Sequence, residues 1–130
     1  MRLLLDTHTL LWYVLGDPQL SATAQALIID PANEILISPA WYWEIAIKVS
    51  LGKLKLHQAY ENLIDVCLNS YGFAILPIEP AHTACVAALP FPPGHKDPFD
   101  RLLVALATVE GIAIVSADAP LDAYGIQRLW

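Results

Sequence analysis

The chain has 130 residues, 56% of them hydrophobic and only 15% charged, with a formal net charge of −6. That length makes one domain, residues 1–130, able to bury roughly two-thirds of its unfolded surface. The acidic balance excludes a passive, non-specific nucleic-acid binder, which carries a basic surface, but not an enzyme that meets phosphates through a metal ion.

No apolar run is long enough for a transmembrane helix. Arg2 and a leucine-rich run ahead of Ala22-Thr23-Ala24 have the outline of a secretory signal, but Asp6 interrupts its apolar core and Asp17-Pro18 intervenes. Cys67 and Cys85 form no zinc pattern and read as buried, reduced thiols, so a cytoplasmic location is expected. So large an apolar fraction also points to an interface, with a second copy or with a partner.

Arg2–Leu5 is a short apolar run ending at Asp6, the pattern of a buried strand. Thr7–Leu15 reads as a helix stopped by Gly16-Asp17-Pro18, and Ser21 caps a second that runs to about Ile29. Glu34–Ser38 is a second strand. Pro39 opens a longer helix, PAWYWEIAIKVSL, which Gly52 ends, and Lys53–His57 is a basic connector. Gln58–Ser70 carries Tyr60, Leu63, Ile64 and Cys67 at helical spacing, with Gly72 closing it. Phe73–Leu76 is a third strand, Pro80–Ala88 a short helix and Leu89–Gly94 a proline-rich loop.

Asp97 as cap, Pro98 at the first helical position and Asp100 in the first turn open a very apolar helix that ends at Glu110-Gly111. Ile112–Val115 is a fourth strand, followed by Ser116-Ala117-Asp118, and Ile126–Leu129 a final edge strand. Strands alternating with helices predict a three-layer α/β/α fold with a central, mainly parallel sheet of four to five strands.

Ligands of such sheets bind outside the carboxyl ends of the strands. Asp6 ends the first strand, Asp118 lies just past the fourth, and Glu44 is in the helix that leaves the second, so strand direction brings these three to one rim. The helix carrying Asp100 runs into the fourth strand and is read as starting away from that rim. Its proline-rich lead-in must then fold over for Asp100 to join. Each acid also has a purely structural reading: Asp6 and Asp118 as caps, Asp100 as a first-turn acid facing the helix dipole, Glu44 as the i+4 partner of Lys48. Asp97 is read as a cap only.

One shared cause for the acids is a hard cation, because carboxylates this close repel one another unless positive charge sits among them. Oxygen-only ligands favour Mg²⁺ or Mn²⁺ over zinc, and His8, His57, His82 and His95 are scattered rather than clustered. Mg²⁺ held by carboxylates keeps several waters, lowers the pKa of one and neutralises a phosphoryl oxygen, which suits phosphodiester hydrolysis.

The segments LLLDTH, SPAWYWEIAIKVSLGKL, HKDPFDRLLVALA and IVSAD, with the YGIQRLW ending, resemble the PIN domain, specifically the VapC ribonuclease toxins of toxin–antitoxin pairs. The resemblance carries the family's acidic quartet onto Asp6, Glu44, Asp100 and Asp118 as candidate catalytic and metal-holding residues. It implies an Mg²⁺-dependent endoribonuclease acting on RNA, usually a homodimer, held inactive by a cognate antitoxin, and it places Asp100 at the rim. Ser116 stands where many relatives have threonine, which keeps the hydroxyl, and His8 where a small polar residue is common.

Thr7 and Ser116 read as hydroxyls that hold carboxylates or waters. Lys48, Lys53 and Lys55 gather three of the seven basic residues and, with Arg101, are candidate phosphate contacts. A solvated loop and a pairing with a neighbouring acid are the alternatives. The apolar helices between Trp12 and Trp43 are expected to form a groove for an antitoxin segment whose arginine reaches the carboxylates. Other classes compete. A phosphatase with an aspartyl nucleophile wants a second acid where His8 stands, and a receiver domain needs adjacent early acids and a late lysine. The same fold kept as a binding module without catalysis stays open.

Overall fold

Arg2–Leu5 (β1) is the middle strand of a five-stranded sheet in the computed structural model, which describes all residues from Met1 to Trp130. Glu34–Ile37 (β2) and Ala113–Val115 (β4) flank it, and Ala74–Ile75 (β3) and Arg128–Leu129 (β5) form the edges, in the order β3-β2-β1-β4-β5. Every pairing is parallel, with Leu3 opposite Ile35 on one side and Ala113 on the other. Leu3, Leu4, Leu5, Ile37 and Ile114 are fully shielded. Helices cover both faces, so these strands are unbroken apolar runs instead of alternating ones.

The helices are Thr7–Leu15 (α1), Ala22–Ile29 (α2), Pro39–Ser50 (α3), Tyr60–Asp65 (α4), Pro80–Ala88 (α5) and Pro98–Glu110 (α6). A 3₁₀ turn over Ala119–Tyr124 precedes β5. The single helix expected from Gln58 to Ser70 is shorter. It starts at Tyr60 behind Ala59, which offers no side-chain cap, and widens into a π-helical turn over Val66–Ser70. The third strand is likewise cut to Ala74–Ile75, with Phe73 and Leu76 buried on either side of it. Cys67 is fully buried as expected, but Cys85 is only half-buried.

The core is built on α6 and the start of α3. Leu103, Val104 and Leu106 are shielded from solvent, as is Trp41, whose Nε1 donates to the Leu5 carbonyl at 2.7 Å. That bond ties α3 to the last residue of β1.

The strand order reverses beside β1: the chain first builds outward to β2 and β3, then returns to lay β4 and β5 on the other side. The carboxyl ends of β1 and β4 therefore frame a switch-point crevice. The sequence reading that started α6 away from this rim is corrected here. A helix that delivers the chain to the foot of a parallel strand has its own first turn at that strand's head. Asp100 reaches the rim through the direction of α6 alone, and α1, α3 and α6 all begin there.

Candidate active site

A cavity of about 450 Å³ opens at the crevice, lined by Asp6, Glu44, Asp100 and Asp118 together with Thr7, His8, Lys48 and Asp97. Asp6 is 8% exposed, and both its oxygens are engaged. Oδ1 caps α1 by accepting from the Thr9 N–H at 2.7 Å, and Oδ2 accepts from the Ser116 hydroxyl. Capping and membership of the acidic group, set against each other on the sequence, belong to the same side chain. Fully buried Ser116 also accepts from the Asp118 N–H at 3.0 Å, and Thr9 Oγ1 donates to the Val115 carbonyl at 3.0 Å. The heads of β1 and β4 are stitched together by these bonds.

Glu44 sits in the second turn of α3, where it accepts from Thr7 Oγ1 at 2.6 Å and lies 3.4 Å from Lys48 Nζ. The i+4 pair forms, but inside the cavity and not on a solvated face. Lys53 and Lys55 are exposed and do not line the cavity.

Asp97 Oδ1 takes the N–H groups of Phe99 and Asp100 at 2.8 and 3.1 Å, which starts α6 and aims the Asp100 carboxyl into the cavity. Burial first, then the charges of Asp97, Asp118, Asp6 and Glu44, push that carboxyl up to about 7. The dipoles of three helix starts do not offset so much negative charge. Asp118 heads the 3₁₀ turn and makes no capping bond with its side chain.

His95 completes the group. The histidines look scattered in the sequence, and only its place two residues ahead of the Asp97 cap marks this one out. Gly94, at φ 76°, turns the chain so that the imidazole folds back over the start of α6. The residue is 9% exposed, with Nδ1 2.8 Å from Tyr124 Oη. Its Nε2 is buried and unpartnered, 3.7 Å from Asp100 Oδ2 and 4.0 Å from Asp118 Oδ2. One donor atom from each of these three residues falls within 4.8 Å of the others.

Arg101 is not a phosphate contact. At 5% exposure it donates to the carbonyls of Val86, Leu89 and Pro90, and its guanidinium lies 3.7 Å from the Phe91 ring centroid. One residue beyond Asp100, it is turned about a quarter of the way around α6, toward the proline-rich loop and away from the cavity. It clasps that loop, and so holds His95 in place.

Trp12 and Trp43 do not share one groove. Trp12 lines the acidic cavity, its ring centroid 5.8 Å from those of His8 and Trp130. Trp43, 65% exposed, lines a separate apolar cavity of about 590 Å³ with Ile47, Ile78, Pro98, Phe99 and Leu102. Phe99 borders both cavities.

Four carboxylates, one of them near neutrality in pKa, and an orphaned imidazole nitrogen form a donor set that fits a divalent cation.

Comparisons with known proteins agree with this architecture. Ribonuclease VapC16 of Mycobacterium tuberculosis is 37% identical over 71 residues, 52% of this chain and 50% of that protein. The chain thus spans about half the length of that relative. VapBC2 from Rickettsia felis, solved bound to a DNA fragment from their promoter, matches with a TM-score of 0.69 at 15% identity, covering 99% of this chain and 98% of that one. FitAcB from Neisseria gonorrhoeae matches with a TM-score of 0.65 at 18% identity, over 98% of this chain and 96% of that one. At such identities these two structures speak for the fold alone. The family profile described as the PIN domain matches residues 3–126, a span that takes in all four acids of the crevice. On that match, over this fold, the chain belongs to the PIN domain family.

Proposed function

We propose that the chain is a divalent-metal-dependent endoribonuclease, the toxin of a toxin–antitoxin pair, that hydrolyses RNA phosphodiester bonds. The observation that carries this reading is the meeting of Asp6, Glu44, Asp100 and Asp118 in one cavity, where burial and then the neighbouring carboxylates lift the Asp100 carboxyl to about 7. Such a site is short of positive charge. The partial likeness to Ribonuclease VapC16 supports the activity.

Mg²⁺, with Mn²⁺ as the alternative, is the proposed cofactor, held by the four acids. Bound there, the ion supplies Lewis acidity toward a phosphoryl oxygen and acidifies water. The protein's part is positioning. Ser116 and the Thr9 N–H fix both oxygens of Asp6, while Thr7 and Lys48 fix Glu44. Lys48 is also the cation of the cavity lining that can meet an RNA phosphate.

The antitoxin is proposed to enter by the apolar cavity at Trp43. Phe99 joins that cavity to the acids, so a segment seated there can place an arginine among the carboxylates. The same apolar face makes a homodimer our reading of the free chain. No helix is long and apolar enough to cross a membrane, and we place the protein in the cytoplasm.

Cleavage of RNA by the purified chain, with EDTA and with Mg²⁺, tests the activity. Wild type cleaves only with metal, and Asp118→Asn lowers the rate by about 10²-fold or more. Cleavage indifferent to both EDTA and the substitution overturns the reading. Metal binding without cleavage replaces it with a metal-binding module. Should the antitoxin reading hold, a small protein encoded beside this gene is expected to form, on co-expression, a stable complex that no longer cleaves.

A further inference from the structure

We propose that His95 is a direct ligand of the bound ion, so that the site is a mixed nitrogen–oxygen site that prefers Mn²⁺ over Mg²⁺. The inference rests on the metal-dependent reading above and adds a residue to it. Three observations carry it, all on the one imidazole ring.

Nε2 is buried without any hydrogen-bond partner, in a residue 91% shielded from solvent. A buried polar atom left unsatisfied is destabilising, and a role as an ion's ligand is one of the few explanations for it. Its distances from Asp100 Oδ2 and Asp118 Oδ2, 3.7 and 4.0 Å, are too long for hydrogen bonds. They are the right length for something else. Two donors each about 2.1 Å from one ion stand about 3 to 4.2 Å apart, depending on the angle between them.

The third observation is the opposite side of the ring. Nδ1 lies 2.8 Å from Tyr124 Oη, which also accepts from Arg101 Nη1 at 3.4 Å. With the ring proton on Nδ1 and donated to Tyr124, the lone pair stands on Nε2 and faces the carboxylates, the arrangement in which ligating histidines are held. The Arg101 clasp on the loop fixes the ring from behind. Imidazole is a softer donor than carboxylate or water, and it raises affinity for first-row transition ions relative to Mg²⁺.

The test uses the full chain loaded with Mn²⁺ and read by pulsed electron paramagnetic resonance. Wild type shows modulation from a directly bound ¹⁴N, and protein grown with ¹⁵N-labelled histidine shifts it to the ¹⁵N pattern. His95→Gln abolishes the modulation, and His8→Gln, which removes the histidine of the cavity lining, leaves it intact. In parallel, the ratio of Mn²⁺ to Mg²⁺ affinity falls about tenfold in His95→Gln, and less in Tyr124→Phe, which removes only the support of Nδ1.

Mn²⁺ bound without a nitrogen signal in wild type overturns the proposal and leaves the acidic quartet standing. A signal that survives His95→Gln, or an unchanged affinity ratio, overturns it too. Failure of wild type to bind Mn²⁺ at all overturns the metal-dependent reading with it. Should His95→Gln fail to fold, by circular dichroism in EDTA, the isotope shift in wild type and its persistence in His8→Gln still decide the assignment.

Discussion

The two ends of α6 carry the same pair of groups, a carboxylate and a buried histidine, in opposite states. At the C-terminal end, His82 Nδ1 accepts from the Glu79 N–H at 2.9 Å and Nε2 meets Glu110 Oε2 at 3.0 Å, so both nitrogens are spent. That hydrogen bond, with one from Arg2, holds the Glu110 carboxyl below the usual glutamate range. At the N-terminal end, His95 stops 3.7 Å short of Asp100, and the Asp100 carboxyl is raised to about 7. A pair closed on itself is architecture. The open pair, among four further acids, is the one that the proposed metal would close.

Substitution of the histidines separates the two ends most strongly. His82→Ala removes the partner of the Glu79 N–H and of Glu110 from a fully shielded position and is expected to lower stability by about 3 kcal/mol, with or without metal. His95→Ala removes one bond, Nδ1 to Tyr124, together with an orphaned nitrogen, and is expected to lose about 1–2 kcal/mol in EDTA, less than His82→Ala. Thermal melts of both variants in EDTA check this, and equal losses would erase the distinction.

Metal loading comes next. Mg²⁺ at a hundredfold excess over its dissociation constant stabilises wild type by about 2.7 kcal/mol through mass action. Glu110→Gln keeps that gain, whereas Asp100→Asn loses most of it, as denaturant titrations with and without Mg²⁺ can measure. Because Asp100 must ionise to bind, loading near pH 6.5 releases a proton in wild type and fewer in Asp100→Asn, which calorimetry in two buffers reads directly.

The pH dependence of the metal-free protein has opposite signs at the two ends. A carboxyl raised in the fold contributes stability below its unfolded pKa and loses it as pH rises through the folded value, so the Asp100 end weakens between about pH 4 and about 7. Solvent screening at a carboxyl 36% exposed keeps this loss to about 1–2 kcal/mol. Glu110, held low, contributes stability above the unfolded glutamate value and loses it as pH falls through the lowered one. Stability curves against pH for Asp100→Asn and Glu110→Gln should flatten opposite limbs.

The smallest effect is at Arg2, 3.3 Å from Glu110 and 42% exposed, where Arg2→Ala should change stability by under about 0.5 kcal/mol.

Much of this comparison is legible in the sequence. Asp97-Pro98 and Glu110-Gly111 mark the bounds of α6, because caps and left-handed termini are chosen locally. The four acids of the crevice follow from strand ends and from the likeness to VapC toxins. What the sequence hides is who satisfies whom. His82 and His95 both lie beside helix starts, and only packing decides that one finds two partners and the other one. Arg101 looks like a free cation until the loop carbonyls it holds are seen. The direction of α6 was open to reasoning, since the helix must run opposite to the strand it feeds, and there the sequence reading went astray.

The pairing of β1 with β4 has a consequence for when the acidic cavity comes together during synthesis. Leu3 lies beside Ala113, and the Asp6 carboxylate takes its bond from Ser116. A nascent chain on the ribosome holds Asp6, Glu44 and Asp100 long before it holds the strand that covers one whole edge of β1. Until residues 113–118 have emerged, that edge is bare, Asp6 lacks the Ser116 hydroxyl, and Asp118 does not exist. Contacts so distant along the chain are also the slowest to close. The cavity therefore assembles late in synthesis, and chains broken off earlier carry every acid of its lining but Asp118 without the site.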